Sequence, residues 1–181
     1  MAVLADYENR FKHIRFRREA GILEMTLHSE GQSLRWGGGP HAEVEQAFHL
    51  IGSDEQNEVI ILTGTGAEFA GPEQKPEMGR AAPQTAPEQW MKIAWEARNM
   101  LMNLMSIEVR MIAAVNGSAY RHAELALLCD IVIAVDTAVF QDSSHFQGGI
   151  VPGEGMHVVM PWLMGLNRGR YFLLTGEKLA A

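Results

Sequence analysis

The chain has 181 residues, 47% of them hydrophobic and 20% charged, with a formal net charge of −7. That is enough for one domain with a sizeable core and too little for two large ones. The acidic balance argues against a nucleic-acid partner, which needs a concentrated basic patch, and no apolar run approaches the roughly 20 residues that span a bilayer.

A single cysteine, Cys129, lies in an apolar run, and the opening Met1-Ala2-Val3-Leu4-Ala5-Asp6 lacks a signal-peptide pattern. A reducing, cytoplasmic location is therefore expected. His13 to Arg18 and Gly21 to His28 read as two strands around a tight Glu19-Ala20-Gly21 connection, and the basic residues of Lys12 to Arg18 alternate with apolar ones, as on a solvated strand face. Pro40 to Leu50 reads as a helix, with Pro40 in its first turn and Val44, Ala47, Phe48 and Ile51 at helical spacing. Val59 to Leu62 is a short buried strand that runs into Thr63-Gly64-Thr65-Gly66.

Gly71 to Pro87 is proline-rich and without apolar periodicity, which predicts a loop and a candidate lid. Pro87 to Met105 predicts the strongest helix, its apolar face traced by Trp90, Ile93, Ala94, Ala97, Leu101, Leu104 and Met105. Its methionines, Met91, Met100, Met102 and Met105, are expected as core filler. Met111 to Val115 and Ile131 to Val135 read as strands, and His122 to Leu128, Gly155 to Leu163 and Arg168 to Leu174 as helices. Strands separated by crossover helices imply an α/β fold with a mostly parallel sheet.

Ile112-Ala113-Ala114-Val115-Asn116-Gly117, followed by Leu125 to Ala134, resembles the strand–turn–helix–strand signature of the crotonase (enoyl-CoA hydratase/isomerase) superfamily. Val59 to Gly64 with Phe69-Ala70-Gly71, Ile150-Val151-Pro152-Gly153 and Leu173 to Glu177 match further stretches in the right order. The resemblance implies a crotonase-like fold, mostly parallel sheet flanked by helices, as a single core domain over residues 1–181. Superfamily members continue with helices that build trimer contacts, so a core shortened at its C-terminus is expected, with a homo-oligomer (a trimer or a dimer of trimers) as its assembly.

The departures narrow the resemblance. After Asn116-Gly117 a CoA enzyme of the family carries a glycine-rich stretch whose backbone N–H helps to hold the thioester oxyanion; here it reads Ser118 to Glu124 without glycine. A hydratase-type glutamate pair is not apparent, since Ser144-His145 stands near the second position. Glu30 to Trp36, Arg121-His122-Ala123-Glu124, Phe140 to Phe146, Ile150 to Val159 and Asn167 to Gly176 instead resemble the superfamily's β-diketone hydrolases, of 6-oxocamphor hydrolase type. Those enzymes hydrolyse a carbon–carbon bond of a cyclic 1,3-diketone by a retro-Claisen reaction and need no organic cofactor or metal. The family pattern has aspartate where this chain has Glu154, which keeps the charge and lengthens the reach by a methylene.

That resemblance implies His122 as the base that activates water, Glu154 as the carboxylate orienting it, and His145 with the Trp36 indole N–H as hydrogen-bond donors to the substrate. His41 would line the same pocket, and the Gly71 N–H could still serve the first oxyanion position beside the donorless Pro72. Each role has a structural alternative: His122 as a helix cap, Glu154 as an exposed first-turn acid, His145 as a loop histidine, Trp36 as a core or interface aromatic. A metal site from His122, His145 and His157 is not expected, because no pair has helical ligand spacing. Two other functions remain: acyl-CoA hydration or isomerisation, and a truncated, non-catalytic crotonase-fold subunit.

Overall fold

Ile14–Glu19 (β1) and Ile22–Leu27 (β2) form an antiparallel hairpin that pairs Glu19 with Ile22. Its two turn residues, Ala20 and Gly21, have φ of 47° and 79°, the left-handed pair that suits a two-residue turn between right-twisted strands. Ile14 and Phe16 are buried while Arg15 and Arg17 face solvent, so the basic stretch is one face of an edge strand. The structure, a computed structural model, describes residues 1–74, 86–145 and 147–181. Most of the candidate lid, residues 75–85, lies outside the described residues.

Three crossovers follow the hairpin. Helix α1 (Gly38–Gly52) leads from β2 to Val59–Thr63 (β3), and α2 (Pro87–Met105) leads, after the short strand Glu68–Ala70 (β4), to Arg110–Val115 (β5). Ser118–Ala119 (β6) and the one-turn helix α3 (Glu124–Leu127) then precede Ile131–Ala134 (β7). The main sheet has the order β1-β2-β3-β5-β7, and every pairing in it except β1–β2 is parallel. This is the mostly parallel α/β architecture expected from the alternation of periodicities. A second sheet, of order β4-β6-β8-β9, adds Val139–Phe140 (β8) and Leu179–Ala180 (β9). Leu23, Met25, Ile60, Leu62, Phe48 and Phe69 are fully buried at the centre of the core.

Helix α2 departs from its expected packing. It meets α1, but its buried residues are Glu96, Ala97, Met100 and Leu104, whereas Trp90 is 41% and Met105 56% exposed. Met91 and Met102 are exposed too, so of the four expected core methionines only Met100 fills that role. The stripe that meets α1 is rotated from the apolar face, and the remaining apolar side chains line an open cavity.

The expected helix from His122 starts two residues later, at Glu124, because His122 has a left-handed φ of 50° that no helical residue adopts. Met156–Met164 (α4) and Leu166–Thr175 (α5) pack on each other near the C-terminus. Gly155, at φ 88°, stands at the N-cap of α4, a left-handed conformation that favours glycine, and its bare Cα faces a methyl of Leu101.

Candidate active site

Glu154 is the centre towards which three histidines converge. Its Oε2 lies 3.4 Å from His122 Nε2 and 3.7 Å from His145 Nε2, and its Oε1 lies 3.8 Å from His41 Nε2. The four residues come from three places in the fold. His41 stands in the first turn of α1, His122 on the turn between β6 and α3, and His145 and Glu154 on the segment between β8 and α4. They face a cleft of about 660 Å³ that Trp36 and Arg121 also line. The Trp36 ring packs over His122, with centroids 4.1 Å apart and planes at 32°.

Each histidine holds a carboxyl group of its own at Nδ1. His122 bonds Glu124 Oε1 at 2.6 Å, His145 bonds Asp142 Oδ1 at 2.8 Å, and His41 bonds Glu96 Oε2 at 3.0 Å. All three acids are buried. The carboxyl group on Nδ1 of His122 is therefore Glu124; Glu154, expected in that place, stands on the Nε2 side. The left-handed turn at His122 brings side chains i and i+2 together, and that local geometry decides the pairing.

Sequence reasoning assigned no role to Glu96, Glu124 or Asp142. Two signals were available: the short His-x-Glu and Asp-x-x-His spacings, and a glutamate at position 96 on a stripe with Ala97, Met100 and Leu104, where an unpaired charge is rarely buried.

Burial pushes His122 down to about 4, outweighing the charges of Glu154 and Asp142 that pull it up. It also pushes Glu124 up to about 8, so the low-dielectric surroundings disfavour charge on both partners. For His145, burial works downward, but the hydrogen bond and charge of Asp142, with Glu154 and Glu124, shift it upward on balance. The site thus holds one neutral imidazole and one that favours protonation, a separation suited to base and donor.

Both His122 and Glu154, at φ 50° and 49°, belong to the few non-glycine residues with left-handed backbones. Such strain costs on the order of 1–3 kcal/mol and clusters at functional sites.

Gly71 stands apart from the cleft. Its N–H donates to Leu34 O at 3.2 Å and its carbonyl accepts from the Trp36 N–H at 2.8 Å, so its backbone secures the Leu34–Trp36 segment instead of offering a free donor. His157 is exposed and lines the neighbouring apolar cavity.

The family model for enoyl-CoA hydratase/isomerase matches residues 17–181. A probable peroxisomal enoyl-CoA hydratase of Arabidopsis thaliana is 30% identical over 142 residues, 77% of this chain and 50% of that protein. The 1,2-epoxyphenylacetyl-CoA isomerase of Escherichia coli is 26% identical over 164 residues, 90% of this chain and 62% of that protein. The chain thus spans about half the length of several curated relatives it matches. Among solved structures, a beta-diketone hydrolase from the cyanobacterium Anabaena, bound to (S)-3-oxocyclohexyl acetic acid, superposes with a TM-score of 0.88 at 43% identity, covering 97% of this chain and 69% of that one. An enoyl-CoA hydratase subunit from Geobacillus kaustophilus gives 0.76 at 27% identity, covering 96% and 65%. By its sequence and its fold, the chain belongs to the enoyl-CoA hydratase/isomerase family, the crotonase superfamily.

Proposed function

We propose that the protein hydrolyses a carbon–carbon bond of a 1,3-diketone, cyclic and largely apolar, by a retro-Claisen reaction. The observation that carries this reading is the convergence of three imidazole Nε2 atoms on Glu154 in one cleft. The likeness to the Anabaena beta-diketone hydrolase supports the substrate class. His122, held neutral by burial, takes a proton from water at Nε2, and Glu154 stabilises the imidazolium that forms. The resulting hydroxide attacks one carbonyl carbon to give a tetrahedral oxyanion. That intermediate expels the neighbouring carbon as an enolate, which takes up a proton at carbon to give the keto acid.

His145, shifted towards its protonated form, and the Trp36 indole N–H donate to the oxyanion or the enolate, each such donor being worth about 3 kcal/mol of barrier. His41 lines the cleft beside them. The apolar cavity of about 570 Å³ that shares Glu154 and His145 with this cleft suits the carbon skeleton of the substrate. A homo-oligomer, a trimer by family likeness, belongs to the same proposal. Its support is the exposed apolar surface at Trp162, Leu163 and Leu166.

The test is an absorbance assay with a bicyclic octanedione, following loss of the diketone and gain of the keto acid. Turnover that vanishes in His122→Ala supports the reading. A folded wild-type protein that leaves the diketone intact and hydrates crotonyl-CoA would replace it.

A further inference from the structure

The three histidines of the cleft share an arrangement that proton transfer alone does not require. Each one has Nδ1 held by a buried carboxyl group, Glu96, Glu124 or Asp142, and each turns Nε2 towards Glu154. Imidazoles that ligate metals are held this way: the outer carboxylate fixes the ring and the tautomer, and the other nitrogen is left bare. His41 adds a separate observation. It is only 5% exposed, its Nε2 has no hydrogen-bond partner among the described residues, and that nitrogen faces Glu154.

We propose that His41, His122 and Glu154 form a binding site for one divalent transition cation of the Zn²⁺ class. Their donor atoms all lie within 4.8 Å of one another. Two donors about 2.1 Å from a tetrahedral zinc stand about 3.4 Å apart. His122 Nε2 and Glu154 Oε2 already have that separation, 3.4 Å, and His41 Nε2 is 3.8 Å from Oε1. The side chain of Glu154, 19% exposed, is the least enclosed of the three and can rotate to close the remainder. His145, with Nε2 3.7 Å from Oε2, is placed as a further ligand.

Two imidazoles with one carboxylate select Zn²⁺, Co²⁺ and their neighbours over Mg²⁺ and Ca²⁺, which prefer oxygen. A cation bound here occupies the Nε2 lone pair of His122 and removes it as a base. Zn²⁺ is therefore an inhibitor of whatever base chemistry His122 performs, and site occupancy does not depend on the diketone reading.

The experiment is a titration of the full, chelator-treated chain with Co²⁺, read by its visible ligand-field bands. The expected result is saturation at one equivalent with bands of a low-symmetry nitrogen–oxygen site, displaced by Zn²⁺ and untouched by Mg²⁺. His41→Ala and Glu154→Gln are each expected to abolish the bands, and His49→Ala, on the far part of α1, to leave them. Absence of saturable bands in the wild type, or bands that persist in both ligand variants, would overturn the site. If His41→Ala does not fold by circular dichroism, Glu154→Gln, of equal volume and partly exposed, decides alone. Binding is read without turnover, so a failed diketone assay leaves this test intact.

Discussion

His122 turns its Nε2 to Glu154 Oε2 at 3.4 Å while its Nδ1 is already held, so the two residues meet on the reactive side of the ring. A base in that position should be indispensable to the proposed reaction. His122→Ala is expected to lower kcat by roughly 10²- to 10⁴-fold, the range for loss of a general base. Its circular dichroism spectrum should match that of the wild type. A rate within a few-fold of wild type would remove His122 from the chemistry.

In the proposed mechanism Glu124 acts through His122, as a positioning residue. Its Oε1 bonds Nδ1 at 2.6 Å and the residue is fully buried. Above pH 8, where Glu124 is ionised, Glu124→Gln keeps the volume but replaces an acceptor with an amide whose N–H₂ can donate to Nδ1, a pairing that puts the proton on the wrong nitrogen. The expected outcome is a fall in kcat of roughly 10²-fold or more with KM little changed, by analogy with triads whose orienting acid is made an amide. Glu124→Ala, which also leaves a buried nitrogen unpaired, should cost about 1–3 kcal/mol of stability in urea unfolding. Equal kcat in Glu124→Gln and wild type would leave Glu124 a purely structural role.

The resemblance to the diketone hydrolases implies an aspartate in place of Glu154, and Glu154→Asp separates two effects of opposite sign. Aspartate tolerates the left-handed φ of 49° better than glutamate, so a gain of a few tenths of a kcal/mol in stability is expected. The shorter side chain draws the carboxylate away from the three Nε2 atoms, and misplacement by about 1 Å can cost 10²-fold in rate. A higher Tm together with a lower kcat is the expected pair of readings; a variant with both lowered would contradict the strain argument.

The strands and most helices were legible in the sequence because their apolar spacing is local. Val59–Thr63 and Pro87–Met105 needed only period and proline position. His122, Glu154 and His145 were found through family likeness, and the structure brings them together. What was not legible depends on backbone conformation and helix rotation. The Glu124 partnership hangs on a left-handed turn at His122, and the burial of Glu96 on which stripe of α2 meets α1. Neither is a property of composition or spacing. Gly71 shows the reverse case: the motif suggests a free N–H, and only the bond to Leu34 O shows that it is taken.

Away from the cleft, Asp54 links the N-terminal segment and β1 to the loop after α1 and should give the protein a pH-dependent tie. Its carboxylate accepts from Tyr7 Oη at 2.8 Å, Arg18 Nη1 at 2.7 Å and the Gln56 N–H at 3.0 Å. Burial pushes Asp54 up, but those hydrogen bonds and the Arg18 charge outweigh it, leaving it below its ordinary 3.8. A folded value below the unfolded one means that the stabilisation is complete above pH 4 to 5 and is lost as pH falls through the folded value. Asp54→Ala removes one partner of a buried pair, which costs on the order of 3 kcal/mol. The gap between wild type and variant in urea unfolding should therefore be widest near pH 7 and narrow steadily below pH 4. Tyr7 supplies an alkaline counterpart. Burial is the largest of the causes that raise it to about 12, so stability held below pH 10 falls as pH climbs from 10 through 12. A gap that stays constant from pH 7 to pH 3 would show that Asp54 contributes packing and no charge.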